Sequence, residues 1–316
     1  MPRVNVAVGV VRDSVGRVLV ARRKDDVHQG GLWEFPGGKL EQAEDAKQAL
    51  GRELYEELNI STISSSPLIN ITYNYSDLEV RLHVREVSEF SGEPVGQEGQ
   101  LLKWVALDEL NNYPFPAANK PIITAILLGR EYAIIGGSNA REILLQLDNV
   151  AAQGVKLVQI RVKNLDEQSA EQLMDGLRSK CDELNINYLL NSQMPVRRGV
   201  DEGVHLTSSD LTGLSKRPEA SGFVAASCHN LQELRKAEEL SLDFAVLSPV
   251  KETSSHPGAD SLGWQQFAEW VEQVNIPVFA LGGVAPQDFE QAISCGAQGI
   301  SGISLYKLMF PNNYLW

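Results

Sequence analysis

The chain has 316 residues, of which 43% are hydrophobic, and this is sufficient for two globular domains with full apolar cores. Its formal net charge of −13 argues against binding to a nucleic-acid polymer, because the phosphate backbone would be repelled, but it does not exclude one nucleotide carried on metal ions. The three cysteines are far apart and lack metal-ligand spacing, which argues against a disulfide framework or a zinc site and suits a reducing cytoplasm.

Strand and helix patterns fill residues 1–130, which we interpret as the first domain. Apolar segments bounded by turn residues predict strands at 4–11, 18–22, 68–75, 79–87 and 102–106. Helices are predicted from about Glu44 and at 120–128. Strands flanking two helices predict an α/β/α sandwich. The first ten residues form a strand pattern rather than a signal peptide, and we expect a cytoplasmic protein with no membrane partner.

Three glutamates are crowded on the first predicted helix. Glu53, Glu56 and Glu57 fall within an arc of roughly 100° that adjoins the apolar face of the helix. Half-buried carboxylates this close repel one another, so positive charge must compensate. Arg52 can cover one glutamate, and a hard divalent cation, Mg²⁺ with Mn²⁺ as the alternative, would cover the rest. A salt-bridged surface helix is the other explanation.

The spacing of this segment is specific. From Gly38 to Ile60 the chain follows G-x5-E-x7-R-E-U-x-E-E-x-G-U, where U is bulky and aliphatic, except that Asn59 replaces the last glycine. The segment resembles the Nudix box of nucleoside-diphosphate-linked hydrolases. The stretches A-R-R-K, W-E-F-P-G-G-K, G-Q-E-G-Q and P-A-A-N-K-P-I make residues 1–130 similar to the MutT-type branch. Because asparagine tolerates the left-handed backbone of a helix C-cap, we expect the turn to be kept.

The resemblance implies hydrolysis of a nucleoside triphosphate, with 8-oxo-dGTP as the expected substrate. The implied metal ligands are Gly38, Glu53, Glu56, Glu57 and Glu98. The implied catalytic residues are Glu53, Glu98, Arg52 and Glu44. The implied substrate contacts are Arg23, His28, Glu34, Phe35, Lys39 and Asn119. The alternatives are an ordinary solvated charge for Glu98, loop roles for Arg23 and His28, and a core position for Phe35.

Asn119 also permits an argument from hydrogen bonding. Guanine presents acceptors at both N7 and O6, whereas oxidation at C8 places a proton on N7 and turns that edge into a donor beside an acceptor. An asparagine amide offers an acceptor and donors, so it can pair with the oxidised edge at two points. The normal base would face the amide oxygen with a lone pair, and we expect Asn119 to discriminate against it.

Residues 131–316 change to alternating strand and helix, which we interpret as the second domain. The predicted strands are 132–136, 157–162, 188–191, 203–206, 222–227, 244–249, 277–282 and 299–304. The predicted helices include 140–153, 167–184, 230–240, 264–274 and 286–295, with a short last helix after residue 304. Eight strand–helix units predict a (βα)8 TIM barrel.

This half resembles thiamine phosphate synthase and its TenI-type relatives. The resemblance lies in V-Q-I-R-V-K at 158–163, G-V-H-L at 203–206, Ser227 with His229, and the turns at 282–283 and 303–304. It implies that a phosphorylated thiamine-pathway ligand is held by Gln159, Arg161, Lys163, Asn191, Asp210, Ser227, Thr253, Gly283, Ile303 and Ser304. Since residues 159, 161 and 163 alternate, we expect all three to point into the barrel interior as buried groups.

One departure bears on the reaction. The family has an aspartate that binds magnesium where this chain has Ser192, although Asp210 keeps the second acidic position. The loss favours a barrel that binds a phosphate compound with little synthase turnover. The alternatives are a thiamine phosphate synthase or TenI-like enzyme with an accessory Nudix domain, a non-catalytic sensor, and a barrel with a relict site. The sequence does not specify the oligomeric state.

Overall fold

The computed structural model describes residues 3–25, 29–74, 78–137, 139–163, 166–253, 260–303 and 305–306. The chain divides into two compact units, Met1–Leu127 and Leu128–Trp316. His28, Ser304, the last residue of the strand predicted at 68–75 and the short last helix lie outside the described residues. Within those ranges we find no helix with both the length and the apolar character needed to cross a bilayer.

The first unit consists of two sheets and two helices. The strands are β1 Arg3–Val11, β2 Val18–Arg22, β3 Trp33–Glu34, β4 Gly37–Lys39, β5 Ser61–Asn74, β6 Glu79–Ser91 and β7 Leu102–Val105, and the helices are α1 Ala46–Leu58 and α2 Lys120–Leu128. One sheet has the order β4-β1-β6-β5, with β1 parallel to β6, and the other has the order β3-β2-β7.

Strand β1 is apolar on both faces because a helix packs on each. Ala7 and Val11 lie in one core cluster with the buried leucines of α1. Val8 and Val10 lie in a second cluster with the isoleucines of α2. Successive side chains of a strand point to opposite faces, so β1 joins the two layers. The predicted α/β/α sandwich is confirmed.

The ends of α1 are fixed by two polar residues. Asp45 and Gln48 form a reciprocal capping box at its start, so the helix begins at Ala46 rather than near Glu44. At its end Asn59 has φ 56° and ψ 35°, and its backbone N–H bonds to the carbonyl of Tyr55. The left-handed turn expected at Asn59 is therefore confirmed, and the backbone after α1 reverses there.

The second unit is a closed parallel barrel, as predicted. Its strands are β8 Glu131–Ile135, β9 Leu157–Ile160, β10 Asn187–Asn191, β11 Gly203–Leu206, β12 Val224–Cys228, β13 Phe244–Leu247, β14 Val278–Ala280 and β15 Gly299–Gly302. Its helices are α3 Ala140–Ala152, α4 Glu167–Leu184, α5 Ser208–Gly213, α6 Leu231–Glu239, α7 Gly263–Val271 and α8 Phe289–Ser294. The barrel closes in the order β10-β11-β12-β13-β14-β15-β8-β9.

The expectation that Arg161 and Lys163 are buried in the barrel interior is wrong. Strand β9 ends at Ile160, and both cations are exposed, whereas Gln159 is 2% exposed. The backbone N–H of Arg161 still bonds to the carbonyl of Ile135, but the ladder stops there. Val162 instead joins the core cluster outside the barrel, so the chain turns away and the alternation ends.

Candidate functional sites

A single guanidinium organises the acidic residues of the first unit. Arg52 binds both carboxylate oxygens of Glu44 at 2.9 Å, through Nε and Nη2. Its Nη1 lies 2.9 Å from Glu53 and 3.1 Å from Glu56, and Nη2 also donates to the carbonyl of Lys39 at 3.0 Å. The sequence led us to expect that Arg52 covers one glutamate, and it contacts three. The paired guanidinium lowers the pKa of Glu44 to about 2.

Glu53 is placed by a glycine. A β-carbon added at Gly38 would lie 2.1 Å from the carboxyl carbon of Glu53, so the acid occupies the space that any other side chain would take. Glu53 and Glu57 are both half-buried, whereas the side chain of Glu56 is 58% exposed. The three glutamates predicted to converge therefore differ in burial. Glu53 and Glu57 lie at the edge of the core, and Glu56 faces the solvent beside Arg52.

Glu57 has the most unfavourable environment of these acids. Burial, together with the nearby charges of Glu53, Glu98 and Glu34, raises the pKa of Glu57 to about 7. A hydrogen bond from the backbone N–H of Gly37 opposes the shift. Glu53, Glu98 and Glu34 are therefore close enough to Glu57 to interact with it. A cation bound beside Glu57 would favour its ionised form.

The segment at 95–100 is tied to the end of α1. The carbonyl of Glu57 accepts hydrogen bonds from the backbone N–H of Gln97 at 2.9 Å and from the side chain of Gln100 at 3.1 Å. The Gln100 side chain also accepts from the backbone N–H of Glu98 at 2.9 Å. The side-chain contacts explain the glutamine at position 100, a role that sequence reasoning missed although the motif contained the residue.

Basic residues pair with the remaining acids. Arg23 forms an ion pair with Glu34, and Lys24 lies 3.3 Å from Glu98. Burial raises the pKa of Glu34, and the Arg23 guanidinium opposes the shift. Lys24 was not among the predicted contacts, although it follows Arg23 in the A-R-R-K stretch. Arg23 and Glu34, both predicted substrate contacts, thus neutralise each other, and Lys24 neutralises the predicted metal ligand Glu98.

The donor set fits a hard divalent cation. It consists of carboxylate oxygens, and Glu57 is half-buried with the charges of Glu53, Glu98 and Glu34 nearby. In the described ranges no three acidic, histidine or cysteine side chains are already grouped at ligand distances. Ion pairs account for this, because Arg52 holds Glu53 and Glu56 while Lys24 holds Glu98.

Two predicted substrate contacts lie at the start of α2 and beneath it. Asn119 is 9% exposed, and within the described part of the chain its side-chain amide has no hydrogen-bond partner. Phe35 is 4% exposed in the core and stacks on Phe115 with ring centroids 5.3 Å apart, which favours the core alternative. Lys39 is exposed on β4. The amide is not among the sealed polar atoms that lack a partner, so solvent or a ligand can reach it.

The barrel contains a cavity of about 280 Å³ at the carboxyl ends of its strands. Seven predicted ligand residues line it: Gln159, Arg161, Asn191, Ser227, Thr253, Gly283 and Ile303. Lys163 and Asp210 are not in this lining. Lining residues outside the predicted set include His229, Thr207, Ser208, Ser248 and Ser301. Gly282 and Gly283 have φ of 92° and 66°, and the backbone of Glu252 leaves no room for a β-carbon at Gly283.

Asp210, the acid kept at the second of the family's two acidic positions, is held by neighbouring side chains. Asp210 accepts hydrogen bonds from the hydroxyl of Ser192 and from Gln193 Nε2, the latter at 2.8 Å, and its backbone N–H donates to Thr207. The Ser192 contact is the main cause that lowers the pKa of Asp210. Ser192 thus takes the place of a second carboxylate and binds the first.

Each of the two units matches a family of known enzymes. A family model described as NUDIX domain matches residues 7–125, and one described as thiamine monophosphate synthase matches residues 131–305. The chain belongs to the NUDIX family over its first unit and to the thiamine monophosphate synthase family over its second.

Curated relatives divide in the same way. A protein of Aquifex aeolicus named "Putative thiamine-phosphate synthase 2" is 34% identical over 182 residues, which are 57% of this chain and 98% of that protein. The "8-oxo-dGTP diphosphatase" of Escherichia coli is 37% identical over 126 residues, which are 40% of this chain and 98% of the relative. The "CTP pyrophosphohydrolase" of Escherichia coli is 37% identical over 122 residues, which are 39% of this chain and 89% of the relative.

The raised pKa of Glu57 predicts a pH-dependent gain from Glu57→Gln in the presence of a metal chelator. The folded-state pKa of about 7 lies above the ordinary value of 4.5, so the folded state loses stability as pH rises between these values. Above pH 7 the free energy of unfolding of Glu57→Gln should exceed that of the wild type by about 1–2 kcal/mol, since solvent screens part of the repulsion. Near pH 4 the two proteins should be equally stable. Denaturant unfolding of the first unit at pH 8 and pH 4 measures it.

The matched control is Glu56→Gln, since that carboxylate is more exposed and contacts Arg52. It should give no gain at pH 8. A Glu57→Gln effect of equal size at both pH values would contradict the environment described for Glu57.

Proposed function

We propose that the first unit is a Mg²⁺-dependent nucleotide pyrophosphohydrolase that converts 8-oxo-dGTP to 8-oxo-dGMP and pyrophosphate. The observation that carries the proposal is the acidic group around Glu57, whose raised pKa calls for a cation. The family match and the 8-oxo-dGTP diphosphatase of Escherichia coli support the same reaction. Such an activity would remove an oxidised precursor of DNA synthesis, and Mn²⁺ is the alternative metal.

The proposed metal ligands are Gly38 through its carbonyl and the carboxylates of Glu53, Glu56, Glu57 and Glu98. The bound metal would supply Lewis-acid stabilisation of the phosphate charge and lower the pKa of a water molecule. Glu98 is the most exposed of the acids close to Glu57, and it is proposed to accept the proton of the attacking water.

The other charged residues position this group. Glu44 holds Arg52 at two points, so that Arg52 can orient Glu53. Arg23, Lys24 and Lys39 carry the positive charge proposed to meet the triphosphate. Because Arg23 and Lys24 are paired with acids here, substrate phosphates would replace those acids and release them.

Glu53→Gln should abolish most of the turnover and leave the fold intact. The amide keeps the shape of the side chain beside Gly38 but removes one negative charge. We expect kcat to fall by about 100-fold or more, the scale seen when a group that stabilises transition-state charge is lost. The assay measures pyrophosphate release from 8-oxo-dGTP, dGTP and CTP with Mg²⁺, with Mn²⁺ and with chelator.

Glu89→Gln provides the control, because Glu89 is an exposed acid on β6 outside the proposed site. Its turnover should match the wild type. Wild-type turnover in Glu53→Gln, or undiminished turnover with chelator, would remove the basis of the metal-site assignment.

The base is proposed to be recognised by Asn119. Its side-chain amide makes no hydrogen bond within the described residues and is not sealed from solvent, so it is available to pair with a donor–acceptor edge. The oxidised guanine presents such an edge. Cytosine also offers an amino donor beside a ring acceptor, and the similarity to a CTP pyrophosphohydrolase makes CTP the second candidate substrate.

Asn119→Ala should lose the preference for 8-oxo-dGTP over dGTP much more than it loses dGTP hydrolysis. The expected loss in the ratio of the two kcat/KM values corresponds to about 1–3 kcal/mol, typical of a base contact at two points. Asn112→Ala, at an exposed asparagine before α2, is the control and should keep the ratio. An unchanged ratio in Asn119→Ala would assign base selection to other residues, and a wild-type preference for CTP would favour the second candidate.

The barrel is proposed to bind a phosphorylated thiamine-pathway compound with little or no synthase turnover. Arg161 supplies a positive charge at the cavity, and the Gly282–Gly283 turn leaves backbone open to an anion. Asp210 is already bound by Ser192 and Gln193, which disfavours a magnesium ion shared between two carboxylates. The family match and the Aquifex aeolicus relative named "Putative thiamine-phosphate synthase 2" support the ligand class. A thiamine phosphate synthase and a sensor of phosphate compounds remain the alternatives.

Calorimetry should show that thiamine phosphate, thiazole phosphate or the pyrimidine diphosphate binds the full chain in the presence of chelator. Arg161→Gln should weaken binding by about 10-fold, the effect of one charge-assisted contact. Lys163→Gln is the matched control and should bind normally, because Lys163 does not line the cavity. Absence of binding would favour a relict site, and rapid thiamine phosphate formation with Mg²⁺ would favour the synthase.

A further inference from the structure

A chain of hydrogen bonds crosses the barrel interior and ends at the cavity. The phenol oxygen of Tyr132 lies 3.0 Å from Nδ1 of His205, and Nε2 of His205 lies 2.9 Å from the hydroxyl oxygen of Ser227. Tyr132 is fully buried, His205 is 1% exposed, and Ser227 lines the cavity. The three side chains therefore connect the sealed end of the barrel to the ligand site.

The direction of each hydrogen bond follows from the available partners. In the described residues the Tyr132 hydroxyl has one partner, Nδ1 of His205, so its proton is donated there. A neutral imidazole that accepts at Nδ1 carries its proton at Nε2 and donates to Ser227. Burial and the charge of Arg161 lower the pKa of His205 to about 3, which keeps the ring neutral.

The hydroxyl of Ser227 is thereby left as a donor. It already accepts a hydrogen bond from His205, and it has no second protein partner among the residues described. Its proton needs an acceptor, and the cavity is the side from which one can come.

A second hydroxyl in the same cavity is also without a partner. Ser301 on β15 is 1% exposed and lines the cavity, and its buried oxygen has no hydrogen bond in the described structure. Such groups are rare in folded proteins because each one costs about 1–3 kcal/mol. The unpaired hydroxyl of Ser301 independently indicates that a polar atom of a ligand forms a hydrogen bond at the buried end of the cavity.

We propose that Tyr132 and His205 act as positioning residues that fix Ser227 as a hydrogen-bond donor to an acceptor atom in the organic part of the barrel's ligand. The inference rests on the proposed ligand class. It adds that the hydrogen bond from Ser227 makes the barrel prefer a phosphomonoester whose ring carries an acceptor over one whose ring does not. The phosphate lies toward the exposed Arg161 and the glycine turn, and the heterocycle lies toward the buried hydroxyls.

The first arm of the test is nitrogen NMR of the full chain labelled at histidine. His205 should show a protonated Nε2 and an unprotonated Nδ1, and loss of its signals in His205→Asn assigns them. His229 is an internal reference of the opposite kind, because its Nδ1 donates to the carbonyl of Ser248 at 2.9 Å. Tyr132→Phe should remove the fixed tautomer of His205. A protonated Nδ1 at His205 in the wild type would overturn the proposal.

The second arm compares two probes by calorimetry, thiazole phosphate with an acceptor nitrogen in its ring and phenyl phosphate without one. The wild type should favour thiazole phosphate, and Tyr132→Phe and Ser227→Ala should each reduce this preference by about 5- to 20-fold, as for one hydrogen bond. Adding Tyr132→Phe to Ser227→Ala should cause no further loss. Tyr188→Phe, which removes a phenol bonded to Glu202 at 2.7 Å, is the control and should keep the preference.

The outcomes separate the two proposals. If the wild type binds neither phosphate probe, nor thiamine phosphate, the proposed ligand class fails. If it binds them and Tyr132→Phe leaves the preference and the His205 tautomer unchanged, the positioning role fails while the ligand class stands.

Discussion

The guanidinium of Arg52 is the contact on which the first site depends. It joins Glu44 before the helix to Glu53 and Glu56 on the helix, and it also holds the carbonyl of Lys39. Without a central cation these acids would repel one another at a half-buried surface. Because Arg52 is fixed at several points, the acids it contacts are fixed as well. Glu57, which Arg52 does not reach, therefore keeps the excess negative charge that a bound cation would neutralise.

The acidic residues of the two units have different partners. In the first unit, the cations Arg23 and Lys24 pair with acids that the proposed reaction needs, so substrate can exchange places with them. In the second unit, Asp210 is bound by a neutral hydroxyl and an amide, which a metal ion would have to displace without gaining a second carboxylate. The first arrangement favours metal-dependent chemistry, and the second favours binding of an anion by hydrogen bonds and one guanidinium.

Most of the fold could be predicted from local sequence patterns. An apolar segment bounded by turn residues predicted β2 with its observed bounds, and helical patterns did the same for α2 and α4. The failure at Arg161 and Lys163 has a physical reason, since alternation alone does not show where a barrel strand stops pairing. Helical spacing was enough to bring together Glu53, Glu56 and Glu57, whereas Glu34 and Glu98 were implied only by the family resemblance.

The supporting contacts could not be inferred in the same way. The link between Gln100 and the carbonyl of Glu57 spans 43 positions, and the link between Tyr132 and His205 spans 73. Contacts of this kind depend on tertiary packing, which no local pattern encodes.

The contact between Gly38 and Glu53 links two positions that lie in different elements. A side chain at position 38 would occupy the space of the Glu53 carboxyl group, so the carboxylate would have to leave its present position. An aspartate at position 53 would move that charge toward the helix and away from Arg52. Neither the glycine nor the length of the acid can therefore change without displacing the carboxylate from its contact with Arg52.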